Sequence, residues 1–347
     1  MQARALLLQQ WVAEQLGAGT ISLQPVSGDA SFRRYFRVSL PLNNSVTTLI
    51  AVDSPPDKES NPEFIRIAQI LFAKGFFVPE IKAVDVAQGF MLLSDLGDRL
   101  LLPELNEDNV ERHYQTAMST LLRLQSSIKP NDLSLPQYDQ SRLLSEMTLF
   151  IDWFIPCYLE YTLSPGQAQD LRQGFQLLAA SALEQPVVFV HRDYHARNLM
   201  VLEAGQQAMI DFQDALWGPV TYDLVSVLRD CYVRWPRERT LQWAKQYFAA
   251  ASKAGVLPSA CTESQFIQWF EWMGVQRHLK AIGIFARLNY RDHKPVYLGD
   301  IPRTYSYMLE VTAAYPELAS LHRVLLTLAR HLMIKNPTAA TWLQALL

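Results

Sequence analysis

Three side chains in one stretch of the sequence have the types and spacing needed to move a phosphoryl group. In Val187–Ala215, VVFVHRDYHARNLMVLEAGQQAMIDFQDA, Asp193 is followed five residues later by Asn198 and thirteen residues after that by Asp211. Hydrophobic runs flank each of them, which places them at loop and strand ends. A carboxylate in such a position can accept or orient a hydroxyl proton, while an amide and a second carboxylate offer hard oxygens to a divalent cation. Phosphoryl transfer needs that equipment, because it depends on positioning and charge neutralisation more than on covalent chemistry. His195, in the same loop, has no metal-ligand partner at suitable spacing and is expected to pack or hydrogen-bond within it.

The elements that must position these residues follow from the pattern on either side. Before the stretch, ISLQPV, FRRYFRVSL and TTLIAVD are rich in β-branched and aromatic residues and predict strands. A turn of small residues, Ser27-Gly28-Asp29-Ala30-Ser31, separates the first two and can bring backbone N–H groups close to an anion. A helix from Pro62 to about Lys74 and two more strands, EIKAVDV and GFMLLSDLGD, complete a small strand-rich lobe ending in a connector at Asp95-Leu96-Gly97. From about Asn106 onward helical spacing dominates, with helices predicted at Ser141–Ile155, Pro165–Leu183, Pro219–Tyr232, Arg237–Ala254 and Glu263–Phe285. The expected class is therefore α+β, divided into residues 1–95 and 96–347.

Composition narrows the function. Of 347 residues, 49% are hydrophobic and 19% charged, which suits a globular chain with ample core. A net charge of −3 supplies no basic field for nucleic acid. The three cysteines, Cys157, Cys231 and Cys261, form no C-x-x-C pair and predict reduced, buried thiols. The N-terminal MQARALLLQQWVAEQLG is spaced as an amphipathic helix, and no apolar run approaches the ~18 residues of a membrane span. A soluble, cytoplasmic protein is expected, binding neither nucleic acid nor membrane.

HRDYHARN, His191–Asn198, fits the H-R-D-x-x-x-x-N pattern of a kinase catalytic loop, and Ile210-Asp211-Phe212 supplies an Asp-Phe pair after a strand. With these motifs the chain resembles the aminoglycoside phosphotransferase family of small-molecule kinases, whose fold is bilobal and protein-kinase-like. Within that family VSGDASFRRYFRV, AVDSPP, LLSDLGD, IDFQDALWGPVTYDLVSVLRD and FARLNYRD…GDIPRTY resemble the anomeric sugar kinases of cell-wall (peptidoglycan) recycling. Those enzymes phosphorylate the 1-hydroxyl of N-acetylmuramate and N-acetylglucosamine. The resemblance implies ATP and Mg²⁺ as cofactors, Asp193 as the catalytic acceptor of the hydroxyl proton, and Asn198 and Asp211 as metal ligands. It also implies adenine contacts from the backbone at Asp95 and Leu96, a bracing role for Asp223, and a sugar-pocket rim at Asp214 and Trp217. A downstream nucleotidyltransferase of the same pathway would take the product without forming a stable complex.

One departure stands out. Kinases carry a Lys on the third strand, paired with a helix Glu, to hold the α- and β-phosphates. Here TTLIAVD ends in Asp53 with no Lys inside it. The nearby cations are Arg33 and Arg34, just after the Ser27, Gly28 and Ser31 turn, and Lys58 beyond the prolines. Arg33 and Arg34 point to opposite faces of a regular strand, so at most one should reach phosphate. Glu63 is the expected helix acid. The acceptor is argued from charge: Arg277, Lys280, Arg287, Arg291, Lys294 and Arg303 face only Asp292 and Asp300 in the late segment. That excess suits an anionic sugar such as N-acetylmuramate, with Arg287 and Arg303 as its contacts, and not a polycationic aminoglycoside. An aminoglycoside, a choline-like alcohol or homoserine would keep the fold and change the acceptor. A pseudokinase-like binding protein is the alternative from another class, prompted by the missing Lys.

Overall fold

Among the residues that the computed structural model describes, 2–19, 21–26, 32–42 and 45–347, the chain opens with helix α1 (Gln2–Leu16). Three strands follow, β1 (Leu23–Val26), β2 (Arg34–Leu42) and β3 (Ser45–Asp53). Helix α2 (Asn61–Ala73) leads to β4 (Ile81–Asp85), β5 (Phe90–Ser94) and a single turn, α3 (Leu101–Glu104). Helices α4 (Val110–Ser127), α5 (Gln140–Leu149) and α6 (Pro165–Leu183) come next, with α5 continuing into a π-helical stretch at Phe150–Tyr158. Four short strands interrupt the helices: β6 (Val187–Val190), β7 (Leu199–Val201), β8 (Gln207–Met209) and β9 (Leu216–Pro219). The rest is helical: α7 (Tyr222–Leu228), α8 (Arg237–Lys253), α9 (Glu263–Tyr290), α10 (Ile301–Ala314), α11 (Ala319–Lys335) and α12 (Ala340–Leu343).

The chain divides into two compact units, Met1–Glu104 with Arg197–Asp214, and Leu105–Ala196 with Ala215–Leu347. The expected division was at residue 95; the first of these units runs to Glu104 and also takes in Arg197–Asp214. The β7–β8 hairpin is captured by the first unit through its backbone. Val201 N donates to Arg99 O at 2.7 Å, Met209 N to Phe77 O at 2.9 Å, and Leu100 bridges Met200. Phe212, fully buried, stacks on Phe64 of α2 at 5.1 Å.

In the first unit the first five strands form one antiparallel sheet in the order β1-β2-β3-β5-β4, and β7 and β8 pair separately. Alternation decides its faces. Phe36, Val38 and Leu40 of β2, with Leu49 and Ala51 of β3, pack with Phe90 and Leu92 against Leu8, Trp11 and Val12 of α1. Each large apolar side chain so buried contributes roughly 1.5–3 kcal/mol. The intervening residues of β2, Tyr35 and Arg37, lie on the opposite face.

The second unit is built around α9, most of whose residues are buried, with α5, the π-helical stretch, α6, α7, α8 and α10 packed on it. Side-chain caps start three of these helices: Asp139 accepts from Arg142 N at 2.8 Å, Ser164 from Gln167 N at 3.2 Å, and Thr262 from Gln265 N at 3.2 Å. The helix expected at Pro219–Tyr232 is shorter. Residues Leu216–Pro219 pair antiparallel with β6 instead, so α7 begins only at Tyr222.

Candidate active site

The loop His191–Ala196 lies in the second unit and is pinned along its length. The buried carboxylate of Asp223 accepts from His191 N at 2.6 Å and from Arg192 N at 3.0 Å. Buried Asp230 accepts from Ala196 N at 2.9 Å and from Tyr232 N at 2.9 Å. Tyr194 donates its phenol to Ala117 O at 2.9 Å. Arg192 has φ +77, a left-handed conformation that a β-unbranched residue adopts at some cost and that clusters at functional sites. Its side chain reaches Glu146 at 2.6 Å, so both its backbone and its charge are tied down.

Asp193 sits within this clamp, half-buried. Burial alone would raise its carboxyl pKa, but Lys280, His195, Arg192 and Arg277 together hold it below the ordinary carboxylate range. It is therefore ionised at neutral pH. The cations are themselves anchored. Lys280 donates to Tyr222 Oη at 3.0 Å and lies 3.4 Å from Glu146. Arg277 contacts Cys231 Sγ at 3.6 Å. Burial pushes Asp223 up to about 7, against the pull of its two N–H donors.

Asn198 and Asp211 belong to the first unit, on the β7–β8 hairpin. Asn198 is nearly buried and accepts Ile210 N on its carbonyl at 3.1 Å, which sets its side chain beside Asp211, Nδ2 to Oδ2 at 3.4 Å. Asp211 has φ +67, is exposed, and accepts from Gln213 Nε2 at 2.7 Å. An amide and an accessible carboxylate side by side fit Mg²⁺, which takes one or two protein oxygens and completes its shell with phosphate and water. Among the described residues there is no cluster of three or more His, Cys, Asp or Glu able to cage a metal.

The remaining candidates separate clearly. Ser27, Gly28 and Ser31 lie outside the described residues. Arg34 is spent on Asp53, which also holds Arg4 Nε at 2.9 Å, on the α1 face of the sheet. Arg33 goes the other way, as alternation requires. It is buried, donates to Ser54 Oγ at 3.1 Å, lies 3.6 Å from Glu59 and stacks over the Phe64 ring. The acid that meets it is thus Glu59; Glu63 bonds Ser60 instead. Burial raises the pKa of the Tyr35 phenol, with the Arg33 charge opposing the rise and the Asp211 charge adding to it.

The Asp95 carboxylate is held by Arg37 at 2.5 Å and by Gly97 N at 2.9 Å, and Leu96 is half-buried. Asp214 is exposed. Trp217 is 4% exposed, in β9 and edge-on to Phe189. Arg303 is already answered by Asp300 at 2.7 Å and Cys231 O at 2.8 Å. Arg287 is half-buried on α9.

Sequence reasoning missed Glu146 and Asp230, and read Arg277 and Lys280 only as part of a basic segment. Glu146 interrupts an otherwise helical apolar face, a signal that can be seen, but its cationic partners Arg192 and Lys280 lie more than forty residues away.

Residues 22–261 match the model of the phosphotransferase enzyme family, and the chain belongs to that family. It is a phosphotransferase with a hydroxyl group as acceptor. An N-acetylmuramate/N-acetylglucosamine kinase of Pseudomonas aeruginosa is 41% identical to it over 325 residues, 93% of each chain. The enzyme of the same description from Neisseria meningitidis is 38% identical over 94% of this chain and 96% of its own. Among solved structures, choline kinase LicA from Streptococcus pneumoniae has a TM-score of 0.58 at 12% identity, covering 90% of this chain and 99% of that one. ADP-bound aminoglycoside phosphotransferase APH(2'')-Ib has a TM-score of 0.53 at 14% identity, covering 88% and 98%. At such identities the likeness establishes the protein-kinase-like α+β fold.

Proposed function

We propose that this chain is a cytoplasmic, ATP- and Mg²⁺-dependent kinase of peptidoglycan recycling that phosphorylates the anomeric 1-hydroxyl of N-acetylmuramate and N-acetylglucosamine. One observation carries the chemistry: a half-buried carboxylate, Asp193, kept ionised by anchored cations on a loop pinned by two buried aspartates. The acceptor rests on relatives of that description, 38–42% identical over most of the chain.

Asp193 accepts a hydrogen bond from the sugar 1-hydroxyl and takes its proton as the sugar oxygen bonds to the γ-phosphorus of ATP and the bond from that phosphorus to the β–γ bridging oxygen breaks, releasing ADP. A carboxylate of lowered basicity suits this task, because in a loose transition state the hydroxyl becomes acidic only late. Asp223 and Asp230 hold the loop so that Asp193 keeps one orientation, which is where positioning earns its rate. Asn198 and Asp211 would hold Mg²⁺, which when bound neutralises charge on the nucleotide phosphates. Arg33, supported by Glu59, supplies the cation for those phosphates that the third strand lacks. On this reading the segment Ser27–Ser31 meets the phosphates, the backbone at Asp95 and Leu96 the adenine edge, and Asp214 the sugar. The product, a sugar 1-phosphate, suits a nucleotidyltransferase as next enzyme, with no stable complex.

The test is ADP release over an acceptor panel, with Asp193→Ala as control. Turnover with either sugar, reduced at least about a thousandfold in Asp193→Ala while nucleotide affinity is kept, is expected. Transfer to an aminoglycoside, choline or homoserine but to neither sugar would replace the acceptor. No Mg²⁺-dependent ATP consumption with any of them would make the chain a binding protein.

A further inference from the structure

Of the arginines in the late basic segment, Arg291 and Arg303 are answered by carboxylates, and Arg277, whose Nε also lacks an acceptor, by a sulfur. Arg277 meets Cys231 Sγ at 3.6 Å beside the buried carboxylates, Arg291 binds Asp292 through two contacts of 2.9 Å, and Arg303 binds Asp300 at 2.7 Å. Arg287 has neither kind of contact among the described residues. It is half-buried, its Nε is shut off from solvent, and among the described residues no oxygen accepts from that Nε and no carboxylate pairs with its guanidinium. Burial and the neighbouring Arg291 both disfavour its cation, with only weak relief from Asp292. A guanidinium kept in such a place is costly unless an anion arrives to meet it.

Its position relative to the chemistry follows from helix geometry. Lys280, Ile284 and Arg287 lie on one stripe of α9, and Lys280 is among the cations around Asp193. Arg287 therefore stands two turns, roughly 10 Å, further along the axis than the catalytic carboxylate's lysine neighbour. N-acetylmuramate differs from N-acetylglucosamine by a lactyl ether that carries a carboxylate away from the anomeric carbon. A forked guanidinium on a long stem, two turns from the reacting end, is suited to bind that group bidentately.

We infer that Arg287 is the receptor for the substrate carboxylate and the residue that sets preference for N-acetylmuramate over N-acetylglucosamine. This rests on the acceptor proposed above. Arg287 touches no reacting atom on this reading; it pairs with one substituent that only one of the two sugars has.

The experiment is steady-state kinetics of the full chain with both sugars, for wild type, Arg287→Met and Arg287→Lys, with thermal melting to check the fold. Arg287→Met is expected to raise KM for N-acetylmuramate roughly ten- to hundredfold while KM for N-acetylglucosamine moves less than about twofold. Arg287→Lys should recover part of the loss, and the methyl ester of N-acetylmuramate should lose its advantage with the wild-type enzyme. Equal losses for both sugars, or none for either, would overturn the inference. Wild-type activity on neither sugar would instead remove the acceptor assignment beneath it.

Discussion

Replacing Gly283 by alanine is the sharpest single test of how the second unit holds its catalytic loop. Gly283 is in the last third of α9, where that helix meets the junction of α5 and the π-helical stretch. A Cβ added there would lie 2.6 Å from Phe150 N and 2.7 Å from Leu149 Cβ, and closer still to the Leu149 carbonyl carbon. Backbone cannot yield as a side-chain tip does, so the two helices must part by about an ångström, which costs around 3 kcal/mol. The better helix propensity of alanine returns about 1 kcal/mol. The net loss of about 2 kcal/mol should lower Tm by roughly 4–8 °C for a body of about two hundred residues. The same shift should reach the chemistry. Lys280 is one turn before Gly283, and Glu146 one turn before Leu149, and these two are 3.4 Å apart beside Asp193. Opening that pair should reduce kcat about ten- to hundredfold. Gly274→Ala, on the same helix but with its nearest neighbour atoms at 3.8 Å, is the control, and it should leave Tm unchanged or slightly raised. Calorimetry and turnover on the two variants decide the matter. If Gly283→Ala melted within about 1 °C of wild type and kept its turnover, the close approach and its link to Lys280 would both be refuted.

Three further outcomes follow from the same geometry. Glu146→Gln leaves Arg192 and Lys280 without their shared buried anion and should cost about 3 kcal/mol in denaturant unfolding. Glu146 is held below the ordinary carboxylate range by Lys280 and Arg192 despite burial. Its contribution is therefore present above the unfolded value and lost as pH falls through the lowered one, and the variant should show a shallower acid limb. Asp223→Asn offers one acceptor oxygen to two N–H donors, so kcat should fall about a hundredfold. Because burial raises Asp223 from 3.8 to about 7, the folded chain binds a proton that the unfolded chain lacks in that interval. Stability should decline there with rising pH by up to about 1.4 kcal/mol per pH unit, and melting of Asp223→Asn against pH should lack that component. Arg33→Met should raise KM for ATP about tenfold, with partial recovery in Arg33→Lys; an unchanged KM would remove Arg33 from phosphate binding.

Much of the fold could be read before any coordinates, because helix and strand periodicity are local. The helix at Pro165–Leu183 is found with the expected bounds, and the start of α8 at Arg237 and of α9 at Glu263 as well. Where tertiary pairing competes, local reading failed. Pro219 looked like a helix start, but its neighbours are a strand because β6 lies beside them. That Trp217 lies edge-on to Phe189 and is largely buried is likewise beyond a sequence, which cannot say which aromatic faces inward.

The sequence by itself determined the kind of chemistry. The spacing of Asp193, Asn198 and Asp211 is a covalent property of the chain, and so is the absence of a lysine in TTLIAVD. Alternation even required that Arg33 and Arg34 part company. Only the tertiary structure decided which of them faces Asp211's side of the sheet, since that depends on Asp53 capturing Arg34. It alone brought Glu146, Asp223, Asp230 and Lys280 to the loop at His191–Ala196, from up to eighty-nine residues away. Among the described residues it also left Arg287 without the carboxylate that Arg291 and Arg303 find. Charges pair through space, and a sequence records only their order.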